Sequence, residues 1–156
     1  TTFRVYLPRH AHEPQAEESS ETKAPRKERT QDLTGTGRVL LVEDEDAVRN
    51  FAAEALRRQG YQVVQATPGQ EALELMIEQG FNVDIVVSDV IMPEMDGPTL
   101  LKELRKRRPD LKFIFVSGYP DDAFKTNLEP DTPFAFLQKP FSLVQLAAKV
   151  KSELNR

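Results

Sequence analysis

The stretch Arg38-Val39-Leu40-Leu41-Val42-Glu43-Asp44 joins a short branched apolar run to two carboxylates at its end. Such a run reads as a strand. The pattern recurs downstream at Gln62 to Gln65, Asp84 to Ser88, Lys112 to Ser117 and Phe134 to Leu137, with helical patterns between the runs. Between Asp44 and Gln59, the residues Val48, Phe51, Ala52, Ala55 and Leu56 recur at spacings of three and four, and Gly60 can supply a left-handed cap. Thr67 followed by Pro68 is an N-cap with proline at the first helical position. It introduces a stripe of Ala72, Leu73, Met76 and Ile77 that stops at Gly80. Pro98 opens a third helix with Leu100, Leu101 and Leu104. Ser142 caps a last one carrying Leu143, Leu146, Ala147, Val150 and Leu154 on one face, and a weaker pattern marks Asp121 to Leu128 as a further helix. Strands and helices in alternation, joined by right-handed crossovers, predict an α/β fold: a doubly wound five-stranded parallel sheet with helices on both faces.

The 156-residue chain is 39% hydrophobic, enough to bury a core in one domain of ordinary size plus a tail. Residues 11–37 depart from that composition. Glu13, Pro14, Glu17, Glu18, Ser19, Ser20, Glu21 and Pro25 accompany a mixed charge run, and Leu33 is the only large aliphatic residue there. So little apolar surface does not offset the entropy of ordering, and a flexible linker ending near Gly35 and Gly37 is expected. Six of the 21 basic and six of the 25 acidic residues precede Arg38, so the net charge of -4 belongs to residues 38–156. That balance argues against a surface for nucleic-acid phosphates or anionic lipid, and a protein partner is expected instead. The chain has no cysteine, which excludes disulfides, thiolate metal sites and cysteine nucleophiles, and the cytoplasm is the default compartment. No apolar run approaches the roughly 20 residues of a membrane span. The first residues are Thr1 and Thr2, so a piece of a longer chain is expected.

Polar side chains gather where the strands end: Glu43 and Asp44 after the first, Asp89 after the third, Ser117 at the fourth and Lys139 past the fifth. Ligands of an open parallel sheet bind beyond the carboxyl ends of the strands, so these residues are expected to converge. Three crowded carboxylates repel one another, and a hard divalent cation relieves that repulsion. Magnesium suits best, because it keeps waters and bridges to phosphate oxygens. Phosphoryl transfer then needs an in-line nucleophile and neutralisation of the equatorial oxygens. Asp89 is the candidate nucleophile, Ser117 a hydrogen-bond donor and Lys139 the fixed positive charge.

Written as Val42-Glu43-Asp44, Ser88-Asp89-Val90-Ile91-Met92-Pro93, Met95-Asp96-Gly97, Val116-Ser117-Gly118 and Lys139-Pro140-Phe141, these residues resemble response-regulator receiver domains. The resemblance extends over residues 38–154. It implies a flavodoxin-like fold with strand order 2-1-3-4-5, Asp89 as phosphoacceptor, and Glu43, Asp44, Asp89 and the Ile91 carbonyl at a magnesium ion. It further implies a switch, in which Ser117 moves toward the phosphoryl group, Phe136 rotates inward, and the surface of the fourth helix, fifth strand and last helix changes. A cis bond before Pro140 is implied as well. So is a docking face for kinase and phosphotransferase partners made of the first helix and the loop after the fifth strand, with Arg49, Asn50, Pro140 and Phe141 lining it. Glu43 and Ser117 stand where many members have Asp and Thr. Ile91 is apolar where some members place an amide that assists hydrolysis, which leaves the lifetime of the aspartyl phosphate open.

The opening Thr1-Thr2-Phe3-Arg4-Val5-Tyr6-Leu7-Pro8 alternates like a strand and is similar to the closing strand of the ATP-binding domain of sensor histidine kinases. The expected organisation is therefore a kinase remnant at 1–10, a linker at 11–37 and a receiver at 38–156. That organisation is the one found in hybrid histidine kinases, and the receiver motifs look most like those of an alphaproteobacterial cell-cycle kinase. The phosphoryl group would come from a histidine in the kinase core of the same parent chain, and a histidine phosphotransferase would receive it. Upstream segments could anchor that parent in the inner membrane.

Plainer readings stand beside these. Ser117 alone is equally a turn hydroxyl, and Phe136 alone equally a core aromatic. Asp96 with Gly97 reads as a turn or helix start rather than a ligand. The run Lys102, Arg105, Lys106, Arg107 and Arg108 reads as a solvated helix face rather than a nucleic-acid patch. His10 and His12 sit between Pro8 and Pro14, which leaves no room for the long helix of a phosphohistidine site. An aspartyl-phosphate hydrolase would need an acid two residues after Asp89, where Ile91 stands. A flavin module would meet repulsion from Glu43, Asp44, Glu45 and Asp46. A receiver-like interaction domain that is never phosphorylated is the remaining alternative.

Overall fold

Strands β1 (Arg38–Val42), β2 (Gln62–Ala66), β3 (Ile85–Asp89), β4 (Lys112–Ser117) and β5 (Ala135–Gln138) form one sheet. They lie in the order β2-β1-β3-β4-β5, and every neighbouring pair is parallel. The computed structural model describes residues 32–67, 69–78, 80, 82–118, 128 and 132–156. The strand expected within 1–10, most of the linker, Pro68 and all but Leu128 of the helix expected at Asp121 to Leu128 lie outside the described residues.

Helices α1 (Asp46–Arg58), α2 (Gly69–Leu73), α3 (Gly97–Arg105) and α4 (Leu143–Leu154) pack on the sheet. α2 runs on as a π-helical turn, Glu74–Glu78. In that wider turn Leu75 joins Leu73 and Met76 against the core, a contact that the expected regular stripe did not include. Capping follows local chemistry. Asp96 accepts from the Thr99 amide at 2.8 Å at the start of α3, and Ser142 and Gln145 form a reciprocal capping box on α4.

Alternation along the strands builds two cores. Leu40, Val42, Val86, Phe113 and Phe115 face Ala72, Leu100, Leu101 and Leu104 of α2 and α3. Val39, Leu41, Ile85, Val87, Ile114 and Val116 face Ala52, Ala53 and Leu56 of α1 with Leu146, Ala147 and Val150 of α4. A strand buried on both sides cannot alternate apolar with polar residues, which explains the continuous apolar runs.

Three expectations shift. β1 ends at Val42 rather than Glu43, and β3 includes Asp89, so the acceptor candidate is held by the sheet itself. Phe51, expected on the buried stripe of α1, is 56% exposed, because the face against the sheet is set by Ala52, Ala53, Ala55 and Leu56. The linker was expected to run to residue 37, yet its end packs on the domain. Leu33 lies against the second core, the Gly35 amide donates to the Gln59 carbonyl at 2.9 Å, and Lys151 pairs with Asp32.

Register aligns the carboxyl ends of the strands, with Val42 opposite Ser88, Asp89 opposite Val116 and Ser117 opposite Gln138. Gly97 closes this edge: its amide donates to the Val90 carbonyl at 3.0 Å, and a Cβ at this position would overlap the Asp89 carbonyl oxygen. Gly97→Ala is therefore expected to lower stability by about 1–3 kcal/mol through overpacking, read as a fall in the urea midpoint.

Candidate functional site: an acidic cluster at the carboxyl edge of the sheet

Glu43 sits one residue past β1, Asp44 beside it, Asp89 at the last position of β3, and Lys139 one residue past β5. The parallel register brings these separated residues together. One carboxylate oxygen from each of Glu43, Asp44 and Asp89 lies within 4.8 Å of the others. Lys139 Nζ donates to Asp89 Oδ2 at 2.7 Å and to Glu43 Oε2 at 2.8 Å. The Lys139 amide is itself fixed, donating to the Ser117 carbonyl at 2.7 Å, and the peptide bond to Pro140 is cis.

Burial gives the cluster its energetics. Glu43 is 4% exposed, and this burial pushes its carboxyl above the ordinary range. Hydrogen bonding and charge from Lys139 pull the other way, and the charge of Asp89 adds to the rise. For Lys139, burial acts downward, but hydrogen bonds to Asp89 and Glu43 and their charges outweigh it, so its net shift is upward. The lysine therefore stays charged in any physiological setting. A buried carboxylate gathered with two others in one oxygen-only donor set fits a hard divalent cation, and the Glu43–Lys139 pairing alone leaves one positive charge among three acids.

The remaining predicted residues divide. Ser117 is buried at the end of β4, and Phe136 is half-buried against the core of α2 and α3. Strand alternation puts Ser117 on the same face as Phe115, which pairs with Phe136 across β4 and β5. The Ile91 amide donates to Asp89 Oδ1 at 3.3 Å, and the Ile91 residue is 65% exposed. Asn50 and Pro140 are exposed. Arg49 is not: its side chain is 12% exposed, Nη1 donates to the Glu43 carbonyl at 2.7 Å, and Nη2 pairs with Asp46. A guanidinium committed to the acidic turn cannot line a docking surface.

The basic run near the end of α3 is also partly committed. Arg105 bonds the Leu111 and Pro133 carbonyls, Arg108 bonds Asn82 and the Val83 carbonyl, and Lys106 pairs with Glu103. Phe51, by contrast, helps line a pocket of about 590 Å³ with Ala47, Val48, Lys139, Pro140 and Phe141. Its exposure has no signal in the sequence, where Phe51 shares the helical spacing of Val48, Ala52 and Ala55.

The family model described as response regulator receiver domain matches residues 39–151. The chain belongs to that family. Its relatives include the sensor kinase CckA of Brucella abortus, 57% identical over 157 residues that cover all of this chain and 17% of the kinase. The chain thus spans about one sixth of that relative. The response regulator receiver protein CpdR of the same organism is 33% identical and matches 75% of this chain and 96% of its own length. Among solved structures, the receiver domain of a hybrid histidine kinase CckA aligns with a TM-score of 0.65 at 45% identity, over 76% of this chain and 99% of that one. The chemotaxis response regulator CheY4 of Vibrio cholerae aligns at 0.67 and 26% identity, over 76% of this chain and 98% of that one. The strand order matches the receiver fold, and the domain is a module of two-component phosphotransfer signalling. Among the described residues, no helix of this receiver is long and apolar enough to cross a membrane.

The raised carboxyl of Glu43 has a measurable sign. A folded-state pKa above the unfolded one means that the folded form holds the proton longer. The stability contributed by protonated Glu43 is then present at low pH and lost as pH rises from the ordinary carboxylate range through the folded value. Glu43→Gln should remove that part of the slope. Urea midpoints measured in chelator from pH 4 to 7 are expected to fall less with rising pH in the variant than in the unaltered receiver.

Proposed function

We propose that Asp89 is the phosphoacceptor of this receiver and that the domain takes a phosphoryl group from a phosphohistidine and passes it to a histidine phosphotransferase. The observation that carries the reading is the meeting of three acidic oxygens within 4.8 Å, with Lys139 Nζ 2.7 Å from Asp89. In the transfer, an Asp89 carboxylate oxygen forms a bond to phosphorus as the bond to the donor imidazole nitrogen breaks, and the electron pair leaves with the imidazole. Magnesium held by Glu43, Asp44, Asp89 and the Ile91 carbonyl would neutralise phosphoryl oxygens. Lys139, already anchored by its backbone and paired with Asp89, supplies positive charge to another oxygen without having to reorganise. The Ser117 hydroxyl donates to a third.

Phosphorylation turns a carboxylate into a bulkier dianionic group. Ser117 follows it, and the room left behind lets Phe136 rotate inward, changing the face of β5 and α4. By resemblance, the donor is the kinase core of the same parent chain, with the domain in the cytoplasm and the parent anchored by upstream segments. Neither nucleic acid nor membrane contact is assigned to this domain. An aspartyl-phosphate hydrolase reading is disfavoured because Ile91 offers no acid two residues after Asp89.

Intact mass after incubation with acetyl phosphate and magnesium tests the class. A gain of one phosphoryl group that vanishes in Asp89→Asn is expected, whereas an unlabelled wild type would point to a receiver-like interaction module. The pocket beside Lys139 is proposed as the docking face for the histidine-bearing partner, with Asn50, Pro140 and Phe141 at its rim and Phe51 as the apolar anchor. Phe51→Ser should slow transfer from a cognate phosphotransferase by about tenfold or more, the loss of an apolar interface anchor, with labelling by acetyl phosphate unchanged.

A further inference from the structure

The turn that carries Glu43 and Asp44 lies beyond the sheet, and long bonds flank it. The Glu43 amide reaches the Ala66 carbonyl at 3.4 Å, and the Glu45 amide reaches Glu43 Oε1 at 3.4 Å. Glu45, the N-cap of α1, makes no side-chain cap bond. Lys139 reaches the Glu43 side chain, but the turn's backbone is bonded by Arg49, whose Nη1 donates to the Glu43 carbonyl at 2.7 Å while Nη2 pairs with Asp46. Arg49 is 12% exposed at its side chain and Asp46 79%, so the guanidinium lies under the turn and the carboxylate comes in from solvent to meet it. A planar fork with separate nitrogens can hold two anchors at once, which a lysine ammonium on a flexible stem does not reproduce.

We propose that Arg49 is a positioning residue for the divalent-cation site, its guanidinium fixing the turn from Glu43 to Asp46 so that the Glu43 and Asp44 carboxylates meet Asp89. The proposal rests on the reading of the site given above. Coulomb's law alone predicts the opposite effect of removing Arg49. A cation beside Glu43, Asp44, Glu45 and Asp46 competes with a bound metal, and deleting it would tighten metal binding. Here the charge is matched locally by Asp46, and the side chain contributes geometry. The two roles differ in sign, and this makes them separable.

Magnesium dissociation constants, from calorimetric titration and from amide NMR shifts, are to be compared for the unaltered domain, Arg49→Met and Arg49→Lys. Arg49→Met should weaken magnesium by about tenfold or more, within the range expected when a group that orients a metal ligand from behind is lost. Arg49→Lys, which keeps the charge but not the fork, should weaken it comparably. In both variants, labelling by acetyl phosphate should return to the unaltered rate once magnesium is saturating. Equal or tighter binding in Arg49→Met, or full affinity in Arg49→Lys, would overturn the proposal while leaving the acceptor assignment standing. A labelling defect that saturating magnesium does not cure, in a variant whose amide spectrum is that of the folded domain, would overturn it too by placing Arg49 in the transfer step. No magnesium binding by the unaltered domain would defeat the site reading and this proposal together.

Discussion

Mutual repulsion among Glu43, Asp44 and Asp89 is the constraint around which the rest of this domain is arranged. Bringing three carboxylates within 4.8 Å, with Glu43 nearly buried, is unfavourable unless positive charge is delivered to the same spot. The protein delivers one charge permanently. Lys139 is held by a backbone bond to the end of β4, at a point where its ammonium reaches both Asp89 and Glu43. A single ammonium against three acids leaves the cluster short of positive charge, and a site short of charge has affinity for a cation and for the reagents that arrive with one.

The sheet makes this possible without long-range adjustment. Because all five strands are parallel, their carboxyl ends fall on one edge, and a residue placed last on a strand or first after it is carried to that edge automatically. Asp89 is the last residue of β3, while Glu43 and Lys139 each come one residue after a strand. Rigid cores on both faces hold the strand ends steady, and Gly97 admits the following loop close against the backbone of Asp89.

Much of this is legible in the sequence because it follows from period and position. The apolar runs, the caps at Ser142 and Asp96 and the acids at strand ends are local signals, and the structure places those residues on the expected elements. What the sequence hides depends on angle and contact. Arg49 and Asn50 look interchangeable on α1, yet one guanidinium turns under the acidic turn and the neighbouring amide faces water, a difference of 100° around the helix. Phe51 looks like core because it is apolar at a helical spacing, and only the packing of Ala52, Ala53 and Leu56 shows that it is left outside. The π-helical turn after α2 has no comparable signature, since it reflects tertiary packing of Leu75 and Met76 more than local preference.

The sheet's two cores have a further consequence. The pocket beside Lys139 is built on α1, which packs on one side of the sheet, whereas Phe136 lies against the core formed with α2 and α3 on the other. A protein seated over Phe51 therefore leaves the opposite side of the sheet uncovered. If Phe136 acts as the proposed switch, its movement starts on the side away from that protein, and α4, which packs beside α1, would carry the change back toward it.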